Sequence, residues 1–550
     1  MRRSVSISAG TSSAPYTADP ATNTRRCFPV RWTPEGATEP VTEYFHKYLV
    51  TGIAENPRGS DPEQVITTYQ YVGGAAWRYD DDPLVAKKDR TWGQFRGYAT
   101  VDMTEGETGS STPGRTRFRY FRGMDGDRNG SGGTRSVAVD GVTDHDEFAG
   151  MLRQEITYNG TGSSVVEKVT NTPWRSSVQA TDADGRKSYQ AAIQTVVTTT
   201  PAPKLAAGKR ETYVKNYFDS HGQVYKILDL GDRDKTGDEL YTNRHRVSNT
   251  SKNIIGAVKR EEVLSVGCWG DISRPADVVS DERYSFDGQS FGAAPTKGLV
   301  TRTEQAKKYS SGSPVYVPTE RTAYDALGRA TSVTDALGRT STTTYTPATG
   351  GPVTKVTTKT PDPDGSGSAS AHTTVTELDP AWGAPVTVTD PNGKVTTATY
   401  DPLGRITKVW KPGRAQGDET PHLQYTYTVR SNGHNAVTTK TLDANNNYRT
   451  SVSIYDGLLR DRQTQVPGAN RDIGGRVVSD TKYDSRGLVA YTYDTWATTG
   501  EPATYAVLPS EAVPTRTRFV RDGAGRVTAE VFEVNEAEKW RTTTRYLGDR

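Results

Sequence analysis

Short runs rich in Thr, Val and Tyr alternate along this chain with clusters built on Asp and Gly. The alternation has the period of a strand followed by a tight turn. Arg329-Ala-Thr-Ser-Val-Thr334, Lys394-Val-Thr-Thr-Ala-Thr-Tyr400 and Arg405-Ile-Thr-Lys-Val-Trp410 are runs of this kind. They place Thr, Ala or Val on one face and Lys, Arg or Thr on the other, so neither face can fill a thick, dry core. The pattern predicts an all-β protein: a long series of antiparallel hairpins in a broad curved sheet that encloses space, held by its hydrogen-bond ladder and by cross-strand Tyr, Trp and Arg contacts.

The clusters between the runs share one hexad. It reads Tyr324-Asp325-Ala326-Leu327-Gly328-Arg329 and Tyr400-Asp401-Pro402-Leu403-Gly404-Arg405. Looser copies are Tyr455-Asp456-Gly457-Leu458-Leu459-Arg460, Tyr483-Asp484-Ser485-Arg486-Gly487 and Arg521-Asp522-Gly523-Ala524-Gly525-Arg526. Copies without the leading Tyr are Asp335-Ala336-Leu337-Gly338-Arg339, Asp390-Pro391-Asn392-Gly393-Lys394 and Asp182-Ala183-Asp184-Gly185-Arg186, with Phe218-Asp219-Ser220-His221-Gly222 as an early relative. The hexad has a mechanical reading. Asp accepts an N–H two residues on, the middle residues fit a type I turn, and Gly takes the left-handed position that completes a hairpin with a G1 bulge. Tyr ends the incoming strand and Arg begins the outgoing one. Asp325 and Asp335 are ten residues apart, and Asp390 and Asp401 eleven. Such spacings leave strands of about six residues.

Composition narrows the class further. Tyr (29), Trp (9) and Gly (53) replace aliphatic residues within a hydrophobic share of 33%. That excludes a helical bundle and a compact Leu-rich α/β core. So low an aliphatic content would signal disorder only with a high net charge. The 68 Lys and Arg against 65 Asp and Glu leave +3 over 550 residues. This near balance gives no field that would imply nucleic acid or an anionic membrane as the partner. Arg2 and Arg3 are followed by Ser-Val-Ser-Ile-Ser-Ala-Gly without the apolar run of a signal peptide, and no stretch is apolar enough for a membrane span. Cys27 and Cys268 are too far apart in sequence for a CxxC site and read as free thiols.

Candidate chemistry is sparse. The histidines at 46, 145, 221, 245, 372, 422 and 434 form no HExxH and no zinc spacing. There is no GxSxG elbow, no Walker loop and no GxGxxG opening a helix. No catalytic residue and no cofactor is expected. One metal-like pattern, Asp125, Asp127 and Asn129 with Gly130, matches the start of a calcium loop but has Ser136 at position 12, and a Gly-rich hairpin turn explains the same residues. The acidic group Asp140, Asp144, Asp146 and Glu147 reads as a solvated loop. The paired bases Arg516-Thr-Arg518 and Arg541-Thr-Thr-Thr-Arg545 read as a solvated sheet face. Thr200-Pro-Ala-Pro203 reads as a loop or linker, and Pro361-Asp-Pro-Asp-Gly-Ser-Gly-Ser368 as an excursion between repeats.

The hexads resemble the RHS or YD-repeat proteins, a family that includes bacterial polymorphic toxins, the B and C subunits of insecticidal toxin complexes, and teneurins. The resemblance is densest over 320–550. Gly231-Asp232, followed by Cys268-Trp269, is similar to the degenerate repeats upstream in bacterial members. Tyr69-Gln-Tyr-Val-Gly-Gly-Ala-Ala-Trp77, Trp92-Gly-Gln-Phe-Arg-Gly-Tyr98 and Tyr120-Phe-Arg-Gly-Met124 are similar to the segment leading into the shell of toxin-complex B-like proteins.

The resemblance implies four regions: a disordered N-terminal segment (1–28), a divergent β region leading into the shell (29–159), degenerate repeats (160–319), and RHS/YD repeats (320–550) ending inside a repeat. It implies a non-enzymatic part of a hollow β-shell, secreted or at the cell surface, that holds a C-terminal toxin cargo, with other toxin-complex or secretion-system components as partners. In shell-forming members a C-terminal plug carries an autoproteolytic aspartate site, and no counterpart is expected within these residues. The competing expectation is an adhesion or carbohydrate-binding module whose exposed Tyr and Trp stack on sugars.

Overall fold

The computed structural model describes residues 2–8, 19–58, 63–107, 112–267, 271–361, 371–468, 475–507, 513 and 515–548. Cys268 and Trp269, most of the Pro-rich excursion after Pro361, and the last two residues lie outside the described residues. Among the described residues the only helical elements are four single 3-10 turns, and the rest of the regular structure is strand.

One antiparallel sheet of 31 strands carries nearly all of it. Arg2–Ser8 lies beside Leu49–Asn56. From there almost every strand pairs with the next along the chain, through to Ala537–Thr543. Three two-stranded hairpins stand off the sheet: Cys27–Trp32 with Val41–His46, Ala138–Val139 with Val142–Thr143, and Ala180–Thr181 with Lys187–Ser188. This is the expected series of hairpins, in a sheet that does not close edge to edge.

Strand length divides the chain. Between the hexads from 329 to 410 strands are short, as in Ala330–Asp335, Val395–Tyr400 and Ile406–Trp410. Upstream they are longer: Val65–Arg78 has 14 residues and Gln94–Glu105 has 12. Six residues per strand therefore holds over 330–410, whereas Val489–Thr498, directly after a hexad, has 10. The N-terminal segment also differs from expectation. Arg2–Ser8 is a strand in register with Leu49–Asn56, and Arg3 reaches Glu55 with its Nε at 2.9 Å. Residues 19–28 are tied down as well. Asp19 caps the turn Pro20–Thr22, the Trp77 indole donates to the Arg25 carbonyl at 2.7 Å, and the Phe28 ring stacks on Trp77 at 4.5 Å.

Apolar packing is thin, as the face pattern predicts. One small core gathers Leu49, Ala75, Trp77 and Tyr98, and another gathers Ala436, Val452 and Ile454. The largest fully buried side chains include Glu262, Gln465, Asp127 and Asp144 alongside Trp77 and Phe121. Buried polar groups must be paired or they cost several kcal/mol each. Asp281, for example, takes both arms of Arg260 at 2.8 Å and the hydroxyls of Tyr309 and Tyr316 at 2.7 Å.

Candidate functional site: the hexad turns and the seam

Each hexad builds the same small object. In the copy at 324–329, Asp325 Oδ1 accepts the N–H groups of Leu327 (2.9 Å) and Arg329 (3.0 Å), and Oδ2 accepts Arg329 Nε at 2.6 Å. The Gly328 N–H donates to the Asp325 carbonyl and the Asp325 N–H to the Arg329 carbonyl, closing the turn. The register shifts at Tyr324, Tyr400, Tyr455 and Tyr483, where the expected bulge sits. The fifth hexad position is left-handed throughout. Gly338 has φ +81° and Leu459, which replaces the glycine in its copy, has φ +62°. The Arg339 guanidinium holds the Asp335 carboxyl below the usual carboxylate range, and Arg405 does the same for Asp401.

The copies are not identical. Asp–Arg ion pairs form at Arg329, Arg339, Arg405, Arg460 and Arg526. Lys394 and Leu488 stand in place of Arg after Asp390 and Asp484, where Oδ1 still gathers the turn's N–H groups. Two turns outside the hexad pattern use the same Asp: Asp379 ahead of Gly383, and Asp443 ahead of Asn446, whose φ is +61°.

The Arg and Tyr of the motif join neighbouring hairpins. Arg460 lies 4.1 Å over the ring of Tyr483, the leading Tyr of the next hexad, and the Tyr483 hydroxyl donates to the Asp461 carbonyl at 2.7 Å. The same pairing links Arg329 to Tyr345, Arg405 to Tyr427 and Arg526 to Tyr546. Each hydroxyl bonds to the carbonyl one residue after the Arg, that of Ala330, Ile406 or Val527. Tyr345, Tyr427 and Tyr546 head no complete hexad, so the motif itself does not mark them. A Tyr 16 to 22 residues after a hexad Arg was the available signal.

The late hexads do something more. The Gly457 N–H donates to the Pro57 carbonyl. The Ser485 carbonyl accepts from Ile66 N–H at 2.9 Å, and its Oγ from Glu107 N–H at 2.8 Å. The Gly523 N–H donates to Asn159 Oδ1 at 2.8 Å, and Arg486 reaches the Thr112 carbonyl. These partners are 364 to 378 residues apart where side chains are involved, and they advance in order along both segments. The sheet therefore winds round and lays its later turns on the strand ends of its beginning, forming a seam. Ala or Pro occupies the third hexad position in the copies at 324, 335, 390 and 400, while Gly457, Ser485 and Gly523 occupy it at the seam. A Cβ at Gly457 or Gly523 would run into the opposite backbone.

The other candidates resolve into local scaffolding. Asp127 accepts the Tyr79 N–H and faces Arg135, Asp125 accepts the Val137 N–H, and Asn129 accepts from Ser131 and Gly133. Their oxygens are engaged by backbone N–H groups of three different segments. No cluster of three or more His, Cys, Asp or Glu among the described residues is placed to hold a metal ion. The acidic group expected to be solvated is engaged: Asp144 is buried and takes the N–H groups of Arg122, Gly123 and Met124. Asp140 meets Arg119 and Arg153, Asp146 meets Arg96, and Glu147 meets Arg175. Arg516 and Arg518 likewise do not face solvent freely but clamp the buried Glu533 at 2.7 and 2.6 Å.

The family model for the RHS repeat matches residues 324–366 and 380–414, the stretches holding four of the hexad turns. These two stretches are RHS repeats. No curated protein matches it. Among solved structures, the crystal structure of TcdB2-TccC3 is similar at a TM-score of 0.66 and 14% identity over 91% of this chain and 32% of that one. That of TcdB2-TccC3-TEV is similar at 0.64 and 13% over 92% and 33%. The chain thus shares the fold of these proteins while spanning about a third of their length.

Proposed function

We propose that this chain is a non-enzymatic wall segment of a hollow RHS β-shell that encloses a C-terminal toxin segment. The observation that carries the reading is the seam. A sheet whose later turns dock by main-chain hydrogen bonds on its own beginning makes a continuous wall without needing a filled core. The likeness in fold to TcdB2-TccC3 supports it, as does the use of the motif side chains in turns and cross-strand links, where they touch one another and not a common centre. Other toxin-complex components are the proposed partners, and outside the producing cell is the proposed place of action.

The test is protease protection. The chain is expressed in line with a C-terminal protein domain and digested beside that domain alone. The enclosed domain should survive, and a Gly523→Val variant that opens the seam should expose it. Digestion of the downstream domain as fast in the intact protein as alone would overturn encapsulation and favour the adhesion reading.

A further inference from the structure

A cavity of about 600 Å3 lies between the loop 429–434 and the segment 501–507, lined by Arg430, Asn432, His434, Thr504, Tyr505 and Ala506. Its outer wall is fixed through main-chain contacts. Buried Gln465 donates to the Tyr505 carbonyl and accepts the Ala503 N–H, both at 2.8 Å. Gln463 brackets Val507 in the same way at 2.7 and 2.8 Å, and Arg476 holds the Glu501 carbonyl.

Two groups in this cavity are incompletely matched. Arg430 bonds to the carbonyls of His434 (3.0 Å) and Thr504 (2.8 Å) and to Thr504 Oγ1 (2.8 Å), and lies 4.2 Å over the Tyr505 ring. All of these partners are neutral. Among the described residues no carboxylate pairs with Arg430, and three bonds leave part of its five-donor fork unused. His434 is only 9% exposed, lines the cavity, and its imidazole has no hydrogen-bond partner among the described residues. The charges facing it are Arg462, Asp456, Lys482 and Arg430. Arg462 and Asp456 are already paired, to Asp480 and Arg460. Burial first, and then the excess of positive neighbours, pushes the imidazole pKa down and keeps it neutral, with one ring N–H to donate.

We propose that this cavity binds a small oxyanion, a carboxylate or phosphate group, with Arg430 supplying charge and two-pronged donors and His434 a ring N–H. A half-buried guanidinium without a counter-charge, with donors still open, is favoured by an anion that takes them up, and the charge-assisted bonds so formed are the stronger kind. The volume is that of a small-molecule site, larger than a bare ion requires. The proposal stands on these residues alone and does not depend on the shell reading.

Calorimetric titration of the full chain tests it. The probes are inorganic phosphate and N-acetylglutamate N-methylamide, with chloride at matched ionic strength as reference. Saturable binding of at least one oxyanion below about 10 mM is expected, weakened about tenfold or more in Arg430→Gln and in His434→Phe. Preference for phosphate assigns a phosphorylated or free phosphate ligand, and preference for the glutamate probe an acidic side chain of a polypeptide. Arg430→Gln also loosens the wall at Thr504, whereas His434→Phe keeps the Arg430 and Gln bonds and the ring's bulk, so the second variant decides where the two differ. Absence of saturable binding by either probe, or equal binding in His434→Phe, overturns the proposal.

Discussion

Replacing Gly523 with Ala separates the seam from the turn it grew out of. Gly523 does not have a left-handed backbone, so alanine meets no conformational penalty there. A Cβ at this position would instead fall inside the Asn159–Gly160 peptide, and backbone atoms cannot rotate away. Relief requires the two layers to part. That breaks the 2.8 Å bond from the Gly523 N–H to Asn159 and disturbs Arg486 between Thr112 and Asp522. Overpacking of this kind costs about 1–3 kcal/mol and the lost hydrogen bond about 1 kcal/mol, so a loss of about 2–4 kcal/mol is expected. Gly338→Ala is the opposite case: φ is +81° and a Cβ there meets open space. It should cost about 1–2 kcal/mol of purely local strain. The gain from a stiffer unfolded chain is shared by both and cancels in the comparison. Urea unfolding gives the magnitudes, and hydrogen exchange read by mass spectrometry gives the places. Gly523→Ala should speed exchange at 521–526 and also at 157–161 and 104–107, whereas Gly338→Ala should affect only the turn at 335–339. If Gly523→Ala leaves 157–161 unchanged, the seam does not exist in solution and the wall argument fails with it.

Tyr427→Phe removes a 2.9 Å bond to the Ile406 carbonyl while leaving the ring under Arg405, and should cost about 1 kcal/mol in a urea series; no loss would show that the hydroxyl does not join the hairpins. Desolvation opposes ionisation of Asp287, but the N–H groups of Lys297, Thr296, Leu299 and Gly298 outweigh it and hold its pKa at about 2, below the ordinary 3.8. A depressed folded-state pKa contributes stability that is present above the ordinary value and lost as pH falls through it towards 2. Asp287→Asn should therefore flatten the acid limb of exchange at 287–299, and an unchanged limb would count against the loop geometry. Gln465→Leu removes both anchors of Ala503 and Tyr505 and should make 501–507 the first site of proteolysis, with cleavage elsewhere first as the contrary result.

The hexad was legible in the sequence because its chemistry closes within itself. Asp325, Gly328 and Arg329 satisfy one another inside one turn, so spacing alone states the geometry. Features whose partners lie far along the chain were not legible. Gly457 and Gly523 read as loose copies of the motif, yet each is small because another backbone touches it. Arg516 and Arg518 read as solvated because strand alternation puts both on one face without saying what lies opposite, while register places Glu533 directly opposite Arg516. The same limit governs Asp125, Asp127 and Asn129. Ligand-like spacing lists oxygens but not what they face, and here they face backbone N–H groups.

Register is the problem that both halves of the sheet must solve. A sheet with strong alternation sets its register by burying one face, because a slip of one residue would turn every side chain over. With so little apolar core, that constraint is weak here. Upstream, buried charge takes its place: Glu262 pairs across the ladder with Asp281, and Arg260 and Arg274 neutralise them from the same face. Buried ion pairs of this kind add little net stability. A slipped strand, however, would leave Glu262 or Asp281 enclosed without its guanidinium, which costs several kcal/mol, so they discriminate strongly against the wrong register. Downstream, turn length does the same work. Each hexad closes in a fixed number of residues and the next Tyr must reach the carbonyl beside the last Arg, so one misplaced strand would strip the links on both sides. Neither device acts between layers of the winding sheet, where no ladder runs. There, the closest approaches bring one backbone against another, which accounts for glycine at Gly457 and Gly523 where the free turns at 324, 335, 390 and 400 carry alanine or proline.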